Sequence, residues 1–403
     1  MSGRAAPRPA LLVVLTGLVA VGPVSTDLYL PSLPRMTEAF DTSVGAVQLT
    51  LSAFLAGFAL AMLIHGPLSD RFGRRPVLLG GLTLYVAASG ACLVAPGMPA
   101  LIGARFVQAL GACAGPVVGR AVVRDLYDPK GAARALSFMS SAMALAPLAA
   151  PILGGWLHTW FGWQANFAAL VLFGTALLVA ALALLPETNT ATDPDALDPG
   201  RMAANYRTLL AHPGYLGHTL CVAFAFGGLF AFISGASFVF VDVLGVAPEN
   251  FGFCFATVVA GYVAGTFGSG RWGGRIGHDH LLRAGTALQV AAGVVGAGLA
   301  WYGVPGVAPV LGPLALFFLG TGFVLPNAMA GALAPFPAIA GAASALLGFL
   351  QMTVGGLAGA AVGHLHDGTT LPMTATIAAM AVAAFILYRA VARRGLAAMA
   401  DSR

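Results

Sequence analysis

Again and again this chain passes through about twenty apolar residues before it reaches a turn. Twelve such runs are legible. In the first half they fall near 10–31, 44–65, 76–95, 99–121, 134–157 and 164–186. In the second they fall near 214–240, 250–270, 281–302, 307–331, 341–363 and 371–392. A hydrocarbon layer about 30 Å thick needs about 20 residues of helix to cross it. The runs therefore predict an all-α integral membrane protein, with twelve transmembrane helices in two six-helix bundles.

Composition agrees. Hydrophobic residues are 58% of the chain, mean hydropathy is +0.86, and only 9% of residues are charged, against about a quarter in soluble domains. A net charge of +5 would suggest nucleic acid for a soluble protein. Here the charges sit between runs of lipid length, so the expected partner is the lipid bilayer and not nucleic acid. Cys92, Cys113, Cys221 and Cys254 all lie inside apolar runs without metal-ligand spacing. They read as packing residues, and neither a metal nor a cofactor is expected.

Lysine and arginine set the orientation, because cytoplasmic loops carry an excess of both. With an even number of spans, both ends lie on one side. Placing them in the cytoplasm puts 18 of the 20 basic residues there, those of Arg71–Arg75 and Arg120–Arg134 included. Only Arg35 falls outside, and only Arg105 falls inside a run. The first run reaches Tyr29 with no small-residue cleavage pattern after it, so it reads as an uncleaved first helix. Glu187 to Pro213 is enriched in Thr, Asp, Pro and Asn. The expected division is an N-terminal bundle over 1–186, a cytoplasmic linker over 187–213, partly helical near Arg201 to Leu210, and a C-terminal bundle over 214–403.

The stretch Gly66 to Pro76, GPLSDRFGRRP, places Asp70, Arg71, Arg74 and Arg75 between two spans. Gly66, Pro67 and Gly73 are turn formers, so the stretch reads as a tight basic elbow. Arg71, Gly73 and Arg75 are echoed 200 residues later by Arg271, Gly273 and Arg275. Leu110-Gly111 is echoed by Leu319-Gly320, and Gly154 by Gly363, both at an offset of 209. In order, these matches suggest a duplicated six-helix unit. Transporters with parallel repeats place cargo between the repeats near the midplane.

At four segments the chain resembles the major facilitator superfamily. Gly66 to Pro76 is similar to its loop motif after the second helix, and Arg105-Phe-Val-Gln108-Ala-Leu-Gly111 to its fourth-helix motif. Ala146-Pro147 through Pro151 to Gly155 resembles the fifth-helix motif of drug–proton antiporters, with Ala where a Gly usually precedes Pro147. Ser25-Thr-Asp27-Leu-Tyr29-Leu-Pro31 is similar to the first helix of a narrower group, the Bcr/CflA-type bacterial exporters associated with bicyclomycin and chloramphenicol or florfenicol resistance. The resemblance implies a twelve-helix fold and proton-coupled export. It also implies a bacterial cytoplasmic (inner) membrane location, multi-pass with both termini cytoplasmic, and a monomer exchanging protons for a hydrophobic drug-like small molecule.

Asp27 is the one carboxylate deep inside an apolar run; the other 14 acids fall in loops or at helix ends. Removal from water favours the neutral form of a carboxyl group, which can then carry a proton near neutral pH. The competing reading is an end-of-helix Asp reaching the outer interface, since Pro31 and Pro34 follow. Some members of the group carry a second acid two turns earlier, where this chain has Val19. A guanidinium inside a span faces the bundle interior and needs a partner. By resemblance, Arg105 senses protonation of the first-helix acid; alternatively it holds backbone carbonyls. Gln108 lies one turn on and shares its face.

The elbow residues Gly66, Asp70, Arg71, Gly73, Arg74 and Arg75, with Arg124, form a candidate conformational latch. Asp70 is placed to favour the start of the third span or to pair with Arg124. Without that pairing the arginines are topology determinants. Pro147, Pro151, Gly154 and Gly155 kink a helix and let neighbours approach; the resemblance makes them a seal against proton leak. Phe54, Phe58, Phe226, Phe230 and Tyr262 suit a flat, weakly polar cargo if they face the cavity, and otherwise pack against helices. Tyr29, Met139, Met143, Asn327 and Gln351 are further candidate cargo contacts.

The favoured function is proton-driven export of hydrophobic drugs from the cytoplasm by alternating access. One proton moving down about 100 mV supplies about 2.3 kcal/mol, and one pH unit adds about 1.4 kcal/mol, enough for a gradient of several hundredfold. Export of an endogenous metabolite or small peptide by the same fold would call for a more polar cavity. A non-transporting receptor would call for a relay domain that this chain does not show. An enzyme is not expected: there is no HExxH or GxSxG pattern, and Lys130, the only lysine, follows Pro129 and so makes no phosphate loop.

Overall fold

In lipid, backbone polar groups have no water to bond, so an apolar run must satisfy them within its own helix. The computed structural model describes residues 9–392, apart from the side chains of a few residues in 129–144 and of 391–392. Among the described residues the secondary structure is helical throughout. The first half comprises α1 (Pro9–Asp27), α2 (Leu33–Ala39), α3 (Val44–Phe72), α4 (Arg74–Leu93), α5 (Met98–Ala112), α6 (Ala114–Leu126), α7 (Pro129–Phe161) and α8 (Gln164–Leu184). A short helix, α9 (Pro199–Ala211), follows. The second half comprises α10 (Pro213–Ser237), α11 (Pro248–Ile276), α12 (His278–Trp301), α13 (Ala308–Leu333), α14 (Ala340–His364) and α15 (Leu371–Leu387). Because α1 with α2, and α5 with α6, each share a span, twelve helical spans are long and apolar enough to cross a membrane. The chain termini, 1–8 and 393–403, on which the orientation argument partly drew, lie outside the described residues.

Local chemistry starts the helices. Ser43 and Asp128 accept the amides of Ala46 and Gly131, so each caps its helix. Proline opens α7, α10 and α11, where its missing N–H costs nothing.

The elbow differs from its sequence reading. Helix α3 has 29 residues, about 44 Å at 1.5 Å per residue, so its last turns project past a layer about 30 Å thick. It runs straight through Gly66 and Pro67, and the chain reverses at Gly73 alone, with φ 98°. In the second half the reversal falls at Gly277, φ 89°, and not at Gly273, which is helical. The structural repeat is therefore offset by 204 at this point (Gly73 to Gly277), because α11 also continues beyond its expected end.

The halves meet along two seams, α3 against α14 and α7 against α11. Side chains of one half bond the backbone of the other toward the end of the bundle that carries residues 40–43 and 244–247, here called the outer end. There Gln48 donates to the carbonyl of Ser234 at 3.0 Å, and further along Ser52 donates to that of Gly356 at 2.9 Å. The Gly73 and Gly277 reversals mark the opposite, inner end.

Candidate functional site

Asp27 is the last residue of α1 and is 2% exposed. The proline-rich turn after it does not open it to solvent. Leu30–Ser32 forms a 3-10 turn and α2 continues, with Leu30, Pro31, Leu33 and Pro34 all buried. Its one side-chain partner is the hydroxyl of Thr26, at 2.9 Å.

Arg105, on α5, is wholly buried. Its guanidinium lies over two rings, 4.5 Å from the centre of Tyr29 and 4.4 Å from that of Phe54. A cation over two aromatic faces is held by both quadrupoles. Nη1 donates to Gln108 at 2.5 Å, Gln108 donates to Ser89 at 2.7 Å, and Ser89 donates to the carbonyl of Tyr85 at 2.7 Å. The Tyr85 hydroxyl meets Ser25 of α1 at 2.8 Å, and Tyr29 meets Thr50 at 2.9 Å. Nε and Nη2 of Arg105 have no partner. A polar chain thus joins α1, α4 and α5 around one cation, and Ser25 at its end and Tyr29 over the cation each stand two residues from Asp27 in sequence. Sequence reading found Asp27, Tyr29, Arg105 and Gln108. It gave no role to Ser25, although Ser25 opens the first-helix motif, and it missed Tyr85 and Ser89, which are ordinary residues in ordinary helices until the fold brings them together.

The inner elbow is a second cluster. Arg74 donates to Asp70 at 2.5 Å, to Ser69 at 2.7 Å and to Asp125 at 3.1 Å. Asp70 therefore pairs with Arg74 and not with Arg124, which is exposed; the reversal at Gly73 folds the start of α4 back onto the last turn of α3 and brings the pair together. Asp70 also does not serve the start of α4. That work falls to Glu187, whose carboxylate accepts the amides of Arg74 at 2.9 Å and Arg75 at 3.1 Å, and those of Thr188 and Asn189. The first two are unpaired first-turn amides of α4, where negative charge is favoured. Partial burial works against the charge of Glu187, but the four amides outweigh it and hold its carboxyl below the ordinary 4.5. Arg75 also reaches the carbonyl of Leu182 at 3.0 Å, while Arg71 lies over Phe72. Gly73 must be glycine: a Cβ there would stand 2.5 Å from the Glu187 carboxylate.

The fifth-helix motif lies at the outer seam. Pro151, Gly154 and Gly155 are buried and Pro147 is half-buried. A Cβ on Gly154 would run into the carbonyl of Leu28, and one on Gly155 would lie 2.8 Å from that of Pro248 on α11. Beside them, a Cβ on Gly252 would lie 2.6 Å from Ile152.

The remaining candidates scatter. Phe58 packs beside Phe54 with ring centres 6.1 Å apart, and Phe226 beside Phe230 at 6.1 Å. Met139 is buried near Gly119, while Met143 is 39% exposed. Tyr262 and Gln351 are half-buried. Asn327 is committed to the second elbow, donating to Ser269 and to the carbonyl of Phe323, both at 2.7 Å, with His278 on its oxygen at 2.6 Å. A recess of about 500 Å³ lined by Arg35, His158, Trp163 and Glu249 opens at the outer end and holds none of the expected site residues.

Twelve apolar helical spans in two halves, with a buried acid and a buried base in the first half, have the build of a membrane transporter. A profile described as the Major Facilitator Superfamily matches residues 15–363. The chain belongs to the Major Facilitator Superfamily. It is 31% identical over 394 residues to the "Bicyclomycin resistance protein homolog" of Haemophilus influenzae, across 96% of this chain and 97% of that one. It is 31% identical over 341 residues to "Multidrug resistance protein D" of Escherichia coli, across 85% of each. Its fold is similar to that of the xylose transporter XylE from E. coli, with a TM-score of 0.70 and 14% identity, over 95% of this chain and 97% of that one.

Proposed function

We propose that this chain exports hydrophobic drug-like small molecules from the bacterial cytoplasm in exchange for protons, by alternating access across the inner membrane. The observation that carries the reading is Asp27: a carboxyl group shut off from solvent, with a single hydroxyl partner, at the end of a helix that crosses the bundle. Its neighbour in sequence, Tyr29, rests against Arg105. Proton binding at Asp27 therefore changes the charge next to the pair that links α1 to α5. The relatives named for bicyclomycin and multidrug resistance support a drug as cargo.

In this reading the basic inner end faces the cytoplasm, with both termini there, and the outer end faces outward. Residues 1–186 and 214–403 rock against each other, and 187–213 join them. Phe54, Phe58, Phe226 and Phe230 supply apolar contacts along the cargo route, with Met139, Met143, Tyr262 and Gln351 on helices beside it. The Arg74–Asp70–Asp125 cluster is a latch that rearranges as the inner end opens and closes, and Gly154 and Gly155 let the outer end shut against proton leak. The chain acts as a monomer.

The test is transport into everted membrane vesicles under an imposed pH gradient. Wild type accumulates chloramphenicol, and Asp27→Asn, at equal membrane abundance, does not. Full gradient-driven accumulation by Asp27→Asn would reject the assignment.

A further inference from the structure

Of the basic residues that the sequence places between spans four and five, Arg120 and Arg124 lie on a helix that continues past both. Arg120 lies within α6, six residues before its last residue, Leu126, about 9 Å along the axis. It is exposed to solvent, as is Arg124 one turn further on. Helix α6 packs against α1, α3, α4, α5 and α7, all from its own half. In the export reading the side it leaves uncovered lines the cytoplasmic vestibule between the halves, where Arg120 stands.

Two observations separate Arg120 from a cation that merely reaches for the inner surface. Its Nε donates to the carbonyl of Pro116 at 2.7 Å. Pro116 lies one turn nearer the outer end, so the head group turns into the bundle, opposite to snorkelling. It also forms no ion pair among the described residues. The surrounding helices offer little to neutralise it. Helices α7, α10, α13 and α14 contain no Asp or Glu. On α1 the one acid is Asp27, at the outer end; on α3 it is Asp70 and on α6 itself it is Asp125, both bound to Arg74. On α11 the one acid is Glu249, also at the outer end. A cleft lined by one sign of charge concentrates ligands of the other sign and repels its own.

We propose that Arg120, backed by Arg124, is a docking site for the carboxylate or other anionic group of an amphipathic cargo, making the transporter selective for acidic and neutral over cationic hydrophobic molecules. The inference rests on the export reading and names its cargo class. The Nη atoms of Arg120 receive the anion while the Pro116 carbonyl fixes the side chain. The apolar body of the cargo lies toward the aromatic residues deeper in the bundle.

The experiment measures uptake of three probes by everted vesicles: fusidate, a carboxylate; chloramphenicol, neutral; and ethidium, a cation. Wild type is expected to take up fusidate and chloramphenicol, and ethidium with kcat/KM lower by on the order of tenfold or more. Arg120→Gln should lower the fusidate-to-chloramphenicol selectivity by on the order of tenfold, and Arg120→Lys should retain most of it. Raising the salt concentration should raise the wild-type KM for fusidate and leave that for chloramphenicol level, which needs no variant to fold. Ethidium uptake on a par with fusidate, selectivity unchanged in Arg120→Gln, or a salt-independent fusidate KM overturns the proposal while chloramphenicol uptake stands. Failure of wild type to take up chloramphenicol defeats the export reading itself, and this inference with it.

Discussion

The guanidinium of Arg105 lies 4.5 Å from the ring centre of Tyr29, and Tyr29 stands two residues beyond Asp27. A base on one helix is thereby set against the end of another whose acid is buried. With its Cζ also 4.4 Å from the ring centre of Phe54, the guanidinium is a flat group packed over two flat rings. Lysine is a compact, strongly hydrated ammonium and cannot fill that slot. Each buried cation–π contact is worth about 2 kcal/mol. Arg105→Lys is therefore expected to lower the initial rate of drug uptake in vesicles at least on the order of tenfold. A wild-type rate in that variant would remove the role given to the two rings.

The seal proposed at the outer end is crossed by hydrogen bonds from side chains of one half to backbone of the other. Gln48 is wholly buried and bonds the Ser234 carbonyl across the seam. Gln48→Ala strands that carbonyl, at a cost of about 1–3 kcal/mol. Vesicles carrying Gln48→Ala should dissipate an imposed pH gradient faster than wild-type vesicles, and Gly154→Val, which forces a side chain against the Leu28 carbonyl, should do the same. Equal decay rates in all three would mean that this end is not the barrier.

Glu187 makes the elbow sensitive to acid. Its folded value lies below 4.5, so unfolding takes up a proton wherever the group is still charged when folded and neutral when unfolded. The stabilisation is complete above 4.5 and disappears as the pH falls through the folded value. For an exposed carboxylate at a helix start it amounts to about 0.3–1 kcal/mol. Purified Glu187→Gln should melt slightly below wild type at pH 7, and the two should converge in acid as the pH falls through the folded value. A gap that persists in acid would assign the loss to packing. Asp70→Asn, which weakens the tie to Arg74, should slow turnover more than it raises the KM for drug; the reverse pattern would count against a latch.

Residues that break the local pattern were legible in the sequence. Asp27 and Arg105 stand out because charge is rare within apolar runs, and the spans are visible because lipid fixes their length. Turn positions were read less well. Gly66 and Pro67 signal a break in a soluble chain, but α3 passes through them because it has already left the apolar layer by that point. The partners of the elbow were hidden for a different reason. Glu187 is 113 residues from Arg74, and nothing local marks it as the group that completes the start of α4. Arg120 was counted among the basic residues between spans four and five because an arginine ends an apolar run, whereas the helix continues six residues past it. Tyr85 and Ser89 carry no signal of their own, since their hydroxyls matter only for the Arg105 side chain that the fold brings close.

The most direct measurement is proton movement driven by drug. Purified transporter is reconstituted into proteoliposomes holding a pH-sensitive dye, and a chloramphenicol gradient is imposed with no initial difference in pH. Wild type should shift the internal pH as drug leaves, and Asp27→Asn, reconstituted to the same density, should leave it flat. A pH shift of wild-type size in Asp27→Asn would contradict the account at its centre, because protons would then be crossing without the buried carboxyl group.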